Sequence, residues 1–362
     1  MKKLITLFTI ALLSTSFVVS QPCLPSGITF TSQTAVDNFQ TNHPDCTEIG
    51  GDVIVDSETI HNLNGLSVIT IIEGKLEIIG CDILSSLTGL NNVTSLGGDL
   101  VIAGNDALFN LTGLEGLTSI DGDFDVRANS YLIDFTGLDN VNSIGGGVWI
   151  WLNYNLSSFA GLEKLTSIGD GLSIGIYGWP SGYWGNESLT KISQLSSLTS
   201  VSGDLKIIGN NALSNLAGLD NINSNTIGNL TIAHNLSLTT CEVQSVCDYL
   251  DNPTGSTSIL GNASGCGDQA EVEYACTLLG ISDIILESEF SIYPNPADKN
   301  LFISSENGLI IDEVRIYNQV GQEVIRENHN TNKLDISMLR QGMYVVVLVS
   351  NDLNIRKKLI VN

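Results

Sequence analysis

Between residues 98 and 120 the chain opens with the short apolar run Leu100-Val101-Ile102-Ala103, whose alternate members Leu100 and Ile102 begin a recurring pattern. Apolar residues then fall at Leu108, Leu111, Gly113-Leu114, Leu117 and Ile120, with Asn105 between the two groups. A shift of 24 residues lands on Phe124, Val126, Asn129, Leu132, Phe135, Gly137-Leu138, Val141 and Ile144. A second shift of 24 gives Val148, Ile150, Asn153, Leu156, Phe159, Gly161-Leu162, Leu165 and Ile168. After one insertion the pattern resumes at Leu189 and continues through Leu205, Ile207, Asn210, Leu213, Leu216 and Gly218-Leu219 to Leu230, Ile232, Asn235 and Leu238. Upstream it reaches back through Leu76, Ile78, Leu84, Leu87 and Gly89-Leu90 to Val53, Val55, Ile60, Leu63 and Gly65-Leu66, making eight turns.

Each turn opens with a strand of period two and then passes through Asn, Gly and Ser turn chemistry. One 24-residue unit cannot bury its apolar face, but stacked units share a continuous core. The pattern therefore predicts a mainly β solenoid over residues 50–240, roughly 38 Å long at the ~4.8 Å strand spacing. The column Asn105, Asn129, Asn153, Asn186, Asn210 and Asn235 is expected inside, each amide satisfying backbone groups at a corner. Cys81 takes that column in its own turn and reads as a reduced, buried ladder residue.

Open strand edges recruit other chains, so both ends need covers. Residues 21–49 supply an N-terminal cap, with a short helix over 32–40 flanked by Cys23 and Cys46. Residues 241–280 supply the other: Val243, Val246, Cys247 and Leu250 have helical spacing, as do Val272, Cys276 and Leu279. These predict two short helices tied by disulfides. The pairing among Cys241, Cys247, Cys266 and Cys276 is open, with three connectivities allowed. No CxxC motif or nearby His favours zinc.

Residues 281–289 lack the repeat register and form a junction. From 290 to 362, short alternating strands between turn residues predict a small, immunoglobulin-like β-sandwich. At the other end, Met1-Lys2-Lys3 followed by the apolar run Leu4–Val19 and the small Ser20 reads as a signal peptide over 1–20. That run is short for a bilayer, and no later stretch is apolar enough to span one. The six cysteines of the two caps suit the oxidising destination this implies.

Charge separates the parts. The chain carries a formal net charge of −24, yet residues 21–288 hold only 5 basic against 30 acidic residues, whereas residues 289–362 hold 8 and 9. A phosphate-tracking surface needs clustered Lys and Arg, so nucleic acid is excluded as a partner of the repeats.

The outward positions carry the candidate chemistry. Trp149 and Trp151 point out together, and the next turn offers Ser173 and Gly175, small enough to leave a shelf. Asp125 and Arg127 flank them on the other side. The insertion Gly178–Gly185 adds Trp179, Tyr183 and Trp184, so all four Trp lie between 149 and 184. An aromatic shelf beside an ion pair suits stacking on sugar rings or anchoring a protein partner. The competing reading has the insertion fold over the two strand Trp and bury them. Asp52, Asp99, Asp123 and Asp204 form a carboxylate column, expected to hydrogen-bond within their own turns. Such a row offers oxygen ligands for Ca²⁺, but no full multi-carboxylate loop accompanies it, and no cofactor is expected. His43, His61, His234 and His329 are scattered, and no catalytic triad or zinc motif appears, so no catalytic residue is assigned.

The repeated "LTGL-x-x-(L/V)-x-S-(I/L)-x-G-D-(L/F)" resembles the receptor L domain, a leucine-rich-repeat relative, over about residues 22–280. The likeness is to its versions in secreted proteins of the Bacteroidota, and it implies a right-handed β-helix with cysteine caps. The segment "YPNP … V-x-I-Y-N-x-x-G … LDIS-x-L-x-x-G-x-Y … KKLIV" closely resembles the type A C-terminal sorting domain read by the type IX secretion system. That resemblance implies a sorting signal carried by Tyr293, Pro294, Asn295, Pro296, Gly321, Gly342, Tyr344, Lys357 and Lys358, and the secretion machinery as partner. It also implies release or attachment at the outer surface of a Gram-negative cell. Together these readings describe an exported, non-enzymatic repeat protein that binds a glycan or protein ligand in adhesion or recognition. A passive surface spacer is the alternative, and a β-helix enzyme acting on polysaccharide a third reading.

Overall fold

Strict alternation along each opening strand forces Val53, Val55, Leu100, Ile102, Phe124, Val126, Val148, Ile150 and their equivalents onto one face, where all are buried. The computed structural model describes residues 21–178, 182–277, 290–305, 311–318, 322–328, 332–350 and 353–362. The expected signal peptide (1–20), Leu279, the junction 281–289, Trp179 and Gly321 lie outside the described residues.

The opening strands pair in parallel and in register, Val148 beside Leu172 and Phe124, Ile150 beside Ile174 and Val126. They build a 10-stranded sheet, not one limited to the eight repeat strands, because the sheet runs into both caps. Ile28–Phe30 adds a strand ahead of Val53–Asp56, and Thr257–Leu260 adds one after Leu230–Ala233. Two-residue strands such as Ser119–Ile120, Ser143–Ile144 and Ser167–Ile168 form a second, narrower face. Between the faces lies a single apolar core, in which Phe135 packs edge-on against Phe124 and Phe159 at 5.6 and 5.2 Å.

The Gly of each LTGL motif marks where successive turns touch. Gly137 has φ +112°, and a Cβ there would overlap the carbonyl of Leu111 in the preceding turn. The Asn column is inside as expected. Each Asn backbone N–H donates to the Oδ1 of the next Asn, as from Asn129 to Asn153 at 3.1 Å. Each Nδ2 reaches back to a strand carbonyl, as from Asn129 to Ile102 at 2.9 Å. Asn262 extends the ladder, accepting from the Asn235 N–H at 3.0 Å, so the column ends inside the C-terminal cap. Cys81 is buried and reduced, its N–H donating to Asn105 Oδ1 at 3.0 Å.

The N-terminal helix is broken into Gln33–Asp37 and Phe39–Asn42, capped by the Ser32 hydroxyl, which accepts from Ala35 N–H. Phe30, Val36 and Phe39 seal the first turn, and Cys23 pairs with Cys46. At the other end the pairs are Cys241–Cys266 and Cys247–Cys276. The helix Gln244–Asp251 buries Val246, Cys247 and Tyr249. A further helix covers residues 269–277, so the two expected helices are present with a sheet strand between them.

Residues 290–362 have their own core. A three-stranded antiparallel sheet (Phe290–Tyr293, Asn300–Ser305, Lys333–Asp335) shares it with a four-stranded one. The latter runs Glu323–Asn328, Glu313–Tyr317, Gly342–Ser350, Leu353–Val361, leaving the C-terminal strand on an edge. Phe290, Leu301, Ile316, Val346, Leu359 and Val361 lie between the sheets, as in a small sandwich.

Candidate ligand-binding site

The insertion folds as a hairpin, Ile176–Gly178 pairing antiparallel with Gly182–Trp184. It lies back over the outward face of the sheet. Trp184 stacks on Trp151 with centroids 5.5 Å apart and planes at 16°, and Tyr183 stacks on His234 at 3.6 Å. Ile208 and Ala233, paired in register on that face, are buried. The expected shelf over Gly175 is therefore absent: a Cβ there would overlap the Ile208 carbonyl and crowd Gly185. Trp151 and Trp184 follow the covered reading only in part, since Trp184 keeps 37% of its surface and Trp151 is half-buried.

The shelf at Ser173 is present. In register, Ser173 stands between Trp149 and Lys206, two large side chains whose strands lie about 9.6 Å apart. Ser173 is buried and its hydroxyl donates to the Gly175 carbonyl at 2.8 Å, so the gap above it stays open. The result is a cleft of about 450 Å³. Trp149 lines it on one side of Ser173 and Lys206, with Asp204, on the other; Ile176 and Tyr177 of the hairpin and Asp170 also line it. The Trp149 ring occupies the space that a Cβ on Gly147 would need, so that glycine permits its tilt.

Electrostatics divide the walls. Lys206 Nζ meets Asp204 Oδ2 at 2.8 Å, and this bond, with those from the Asn229 N–H and side chain, holds the Asp204 carboxyl below the ordinary range. Partial burial pushes the Tyr177 phenol above its usual value, with Tyr183 adding to the effect. Behind Trp149, Asp125 and Arg127 form the expected ion pair, while Asp125 Oδ1 is buried without a hydrogen bond. That pair borders Trp149 and Trp151 in register but does not line the cleft. Lys206 is a site residue that the strand register, rather than a motif, places beside Ser173; Asp204 stood out in the sequence only as a member of the carboxylate column, and Asp170 and Ile176 carried no signal.

The Asp column bonds across turns rather than within them. Asp52 accepts from Lys75 N–H at 3.0 Å, Asp99 from Asp123 N–H at 2.8 Å, and Asp123 from Gly147 N–H at 2.8 Å. The strand spacing makes the next turn's amide the nearer donor. Among the described residues no group of three or more His, Cys, Asp or Glu converges on a common point.

In the C-terminal segment Tyr293 stacks on Phe302 at 5.7 Å, and Pro294 and Pro296 are exposed. Asn295 grips the last strand, its Nδ2 donating to the Lys358 carbonyl at 2.6 Å and its Oδ1 accepting from Ile360 N–H at 2.9 Å. The Asn362 N–H donates to the Ala297 carbonyl at 3.0 Å. Gly342 opens the strand that pairs with this one, and Tyr344 is buried, its hydroxyl donating to the Arg340 carbonyl at 2.9 Å. Lys358 is exposed, while Lys357 alternates onto the side of Leu359 and Val361.

Residues 291–362 match the family model described as a secretion system C-terminal sorting domain. This segment is a type IX sorting domain. It implies interaction with the type IX secretion machinery and places the protein outside the cell, secreted or at the cell surface, as in the Bacteroidota. No helix among the described residues is long and apolar enough to cross a membrane. No curated protein matches the chain.

Proposed function

We propose that the solenoid is the recognition module of an exported adhesion or receptor-like protein, non-enzymatic, with the sorting domain as its export tag. The repeat signature supports a receptor L-like module. The observation that carries the binding reading is the cleft between Trp149 and the Asp204–Lys206 pair, where one small residue interrupts a row of large ones. Exposed aromatics beside fixed polar groups are the usual anchors of glycan and protein ligands.

Asp204, bonded by Lys206 and Asn229 in its charged form, does not suit the general-acid role that glycoside cleavage needs. No cofactor is invoked. A passive spacer would have no use for a cleft, and the test separates the two. Replacing Trp149 and Trp184 together by Ala is expected to abolish binding of the full chain to a glycan array or to partner proteins. Wild-type binding that survives both changes would refute the assignment.

A further inference from the structure

We infer that the cleft receives a pyranose ring of an uncharged, hexose-based glycan, its C–H face against the Trp149 indole. This rests on reading the cleft as the recognition site.

The walls are chemically unlike. Trp149 offers an apolar face, whereas across the gap stand the Asp204 carboxylate and the Lys206 ammonium, and Asp170 also lines the cleft. A fitting ligand must therefore be flat and apolar on one side and rich in hydroxyls around its edge. A pyranose has that distribution: axial C–H groups stack on an indole, and equatorial hydroxyls donate to carboxylates and accept from an ammonium. Between the walls few polar side chains intervene, since Gly171 and Gly203 carry none and the Ser173 hydroxyl already donates its proton to the Gly175 carbonyl. The gap between the flanking strands, about 9.6 Å, leaves room for one ring beside Trp149, and the volume of about 450 Å³ lies in the small-ligand range.

Charge decides the kind of sugar. Asp170 and Asp204 outnumber Lys206, which Asp204 already holds, and the surrounding residues 21–288 carry 30 acidic against 5 basic residues. Uronic and sulfated sugars would meet net repulsion and no free cation in the cleft. An extended peptide is disfavoured too: the strands flanking the cleft are central, with their backbone groups paired on both sides.

The test titrates the full chain with neutral hexasaccharides of glucose, mannose and N-acetylglucosamine, and with oligogalacturonate, following Trp fluorescence and calorimetry. Binding of at least one neutral oligosaccharide is expected at millimolar to micromolar Kd, with little dependence on salt. Trp149→Ala should weaken it about tenfold, and Trp149→Phe should keep most of it. Circular dichroism and melting of each variant report folding. If Trp149→Ala does not fold, Lys206→Met tests the opposite wall at a half-exposed side chain, with a loss of severalfold expected.

No binding of any neutral probe at millimolar concentration, or a preference for oligogalacturonate, overturns the inference. An acidic sugar or a protein partner whose binding falls with Trp149→Ala would overturn the ligand class yet leave the cleft as the recognition site. Neutral-glycan binding indifferent to Trp149→Ala and Lys206→Met would remove the cleft itself.

Discussion

The backbone N–H of Asn105 donates to Asn129 Oδ1 at 3.0 Å, and the Asn105 Nδ2 reaches the same oxygen at 3.2 Å. One side-chain oxygen thus closes a corner of the preceding turn, and the arrangement repeats along the solenoid. Replacing Asn129 by Leu would strand the Asn105 N–H in the core and remove the bond to Ile102. A loss of about 2–4 kcal/mol is expected by urea unfolding. Asn140→Ala, which removes exposed bonds to the Glu115 carbonyl and from the Lys164 ammonium, should change stability by no more than about 0.5 kcal/mol.

Asp204 should make stability depend on acid. Its carboxyl is more acidic folded than unfolded, because Lys206 and Asn229 bond the charged form. The stabilisation is therefore fully present above the ordinary carboxylate range and is lost as pH falls through that range to the depressed folded value. Asp204→Asn should flatten the acid limb of a plot of Tm against pH. An unchanged slope would argue against the bond.

Cross-turn bonding of the Asp column needs no bridging cation, because backbone N–H groups supply the positive partners. Tm is expected to be the same with and without a chelator. A fall on chelation, restored by Ca²⁺, would show that the column holds metal.

The C-terminal cap depends on its two disulfides. Cys247 and Cys276 are 29 residues apart, a loop whose closure stabilises by about 3.5 kcal/mol in the chain-entropy account. Stacked repeats contact only neighbours, so damage should stay local. Under mild reductant, hydrogen exchange should quicken over Gln244–Asp251 and Thr257–Leu260 while Phe124–Arg127 stays protected.

Asn295 ties the YPNP segment to the final strand, so these two segments form one surface. Asn295→Ala should speed amide exchange at Ile360 and reduce export of a reporter fused to residues 290–362. Faster exchange with undiminished export would mean that the tie is structural only.

Much of the fold was legible because burial on one face imposes period two on a strand, and stacking imposes the 24-residue repeat. Those constraints placed Val148 and Ile150 inside, Trp149 outside, and the Asn column in the core. The capping strands at 28–30 and 257–260 are not legible in the sequence, since each occurs once and outside the repeat register. The same holds for Asn262.

Composition and order alone thus determined a parallel solenoid, its inward residues and a C-terminal export tag, because each follows from local alternation or from contiguous motifs. Tertiary structure alone decided which cysteines meet, with Cα separations of 5.6 and 5.5 Å for the C-terminal pairs, since that depends on distances between segments. It also decided the fate of the aromatic cluster. The hairpin's landing site is a packing contact between chain segments, and it covers Trp151 with Trp184 while leaving the gap over Ser173 open beside Trp149.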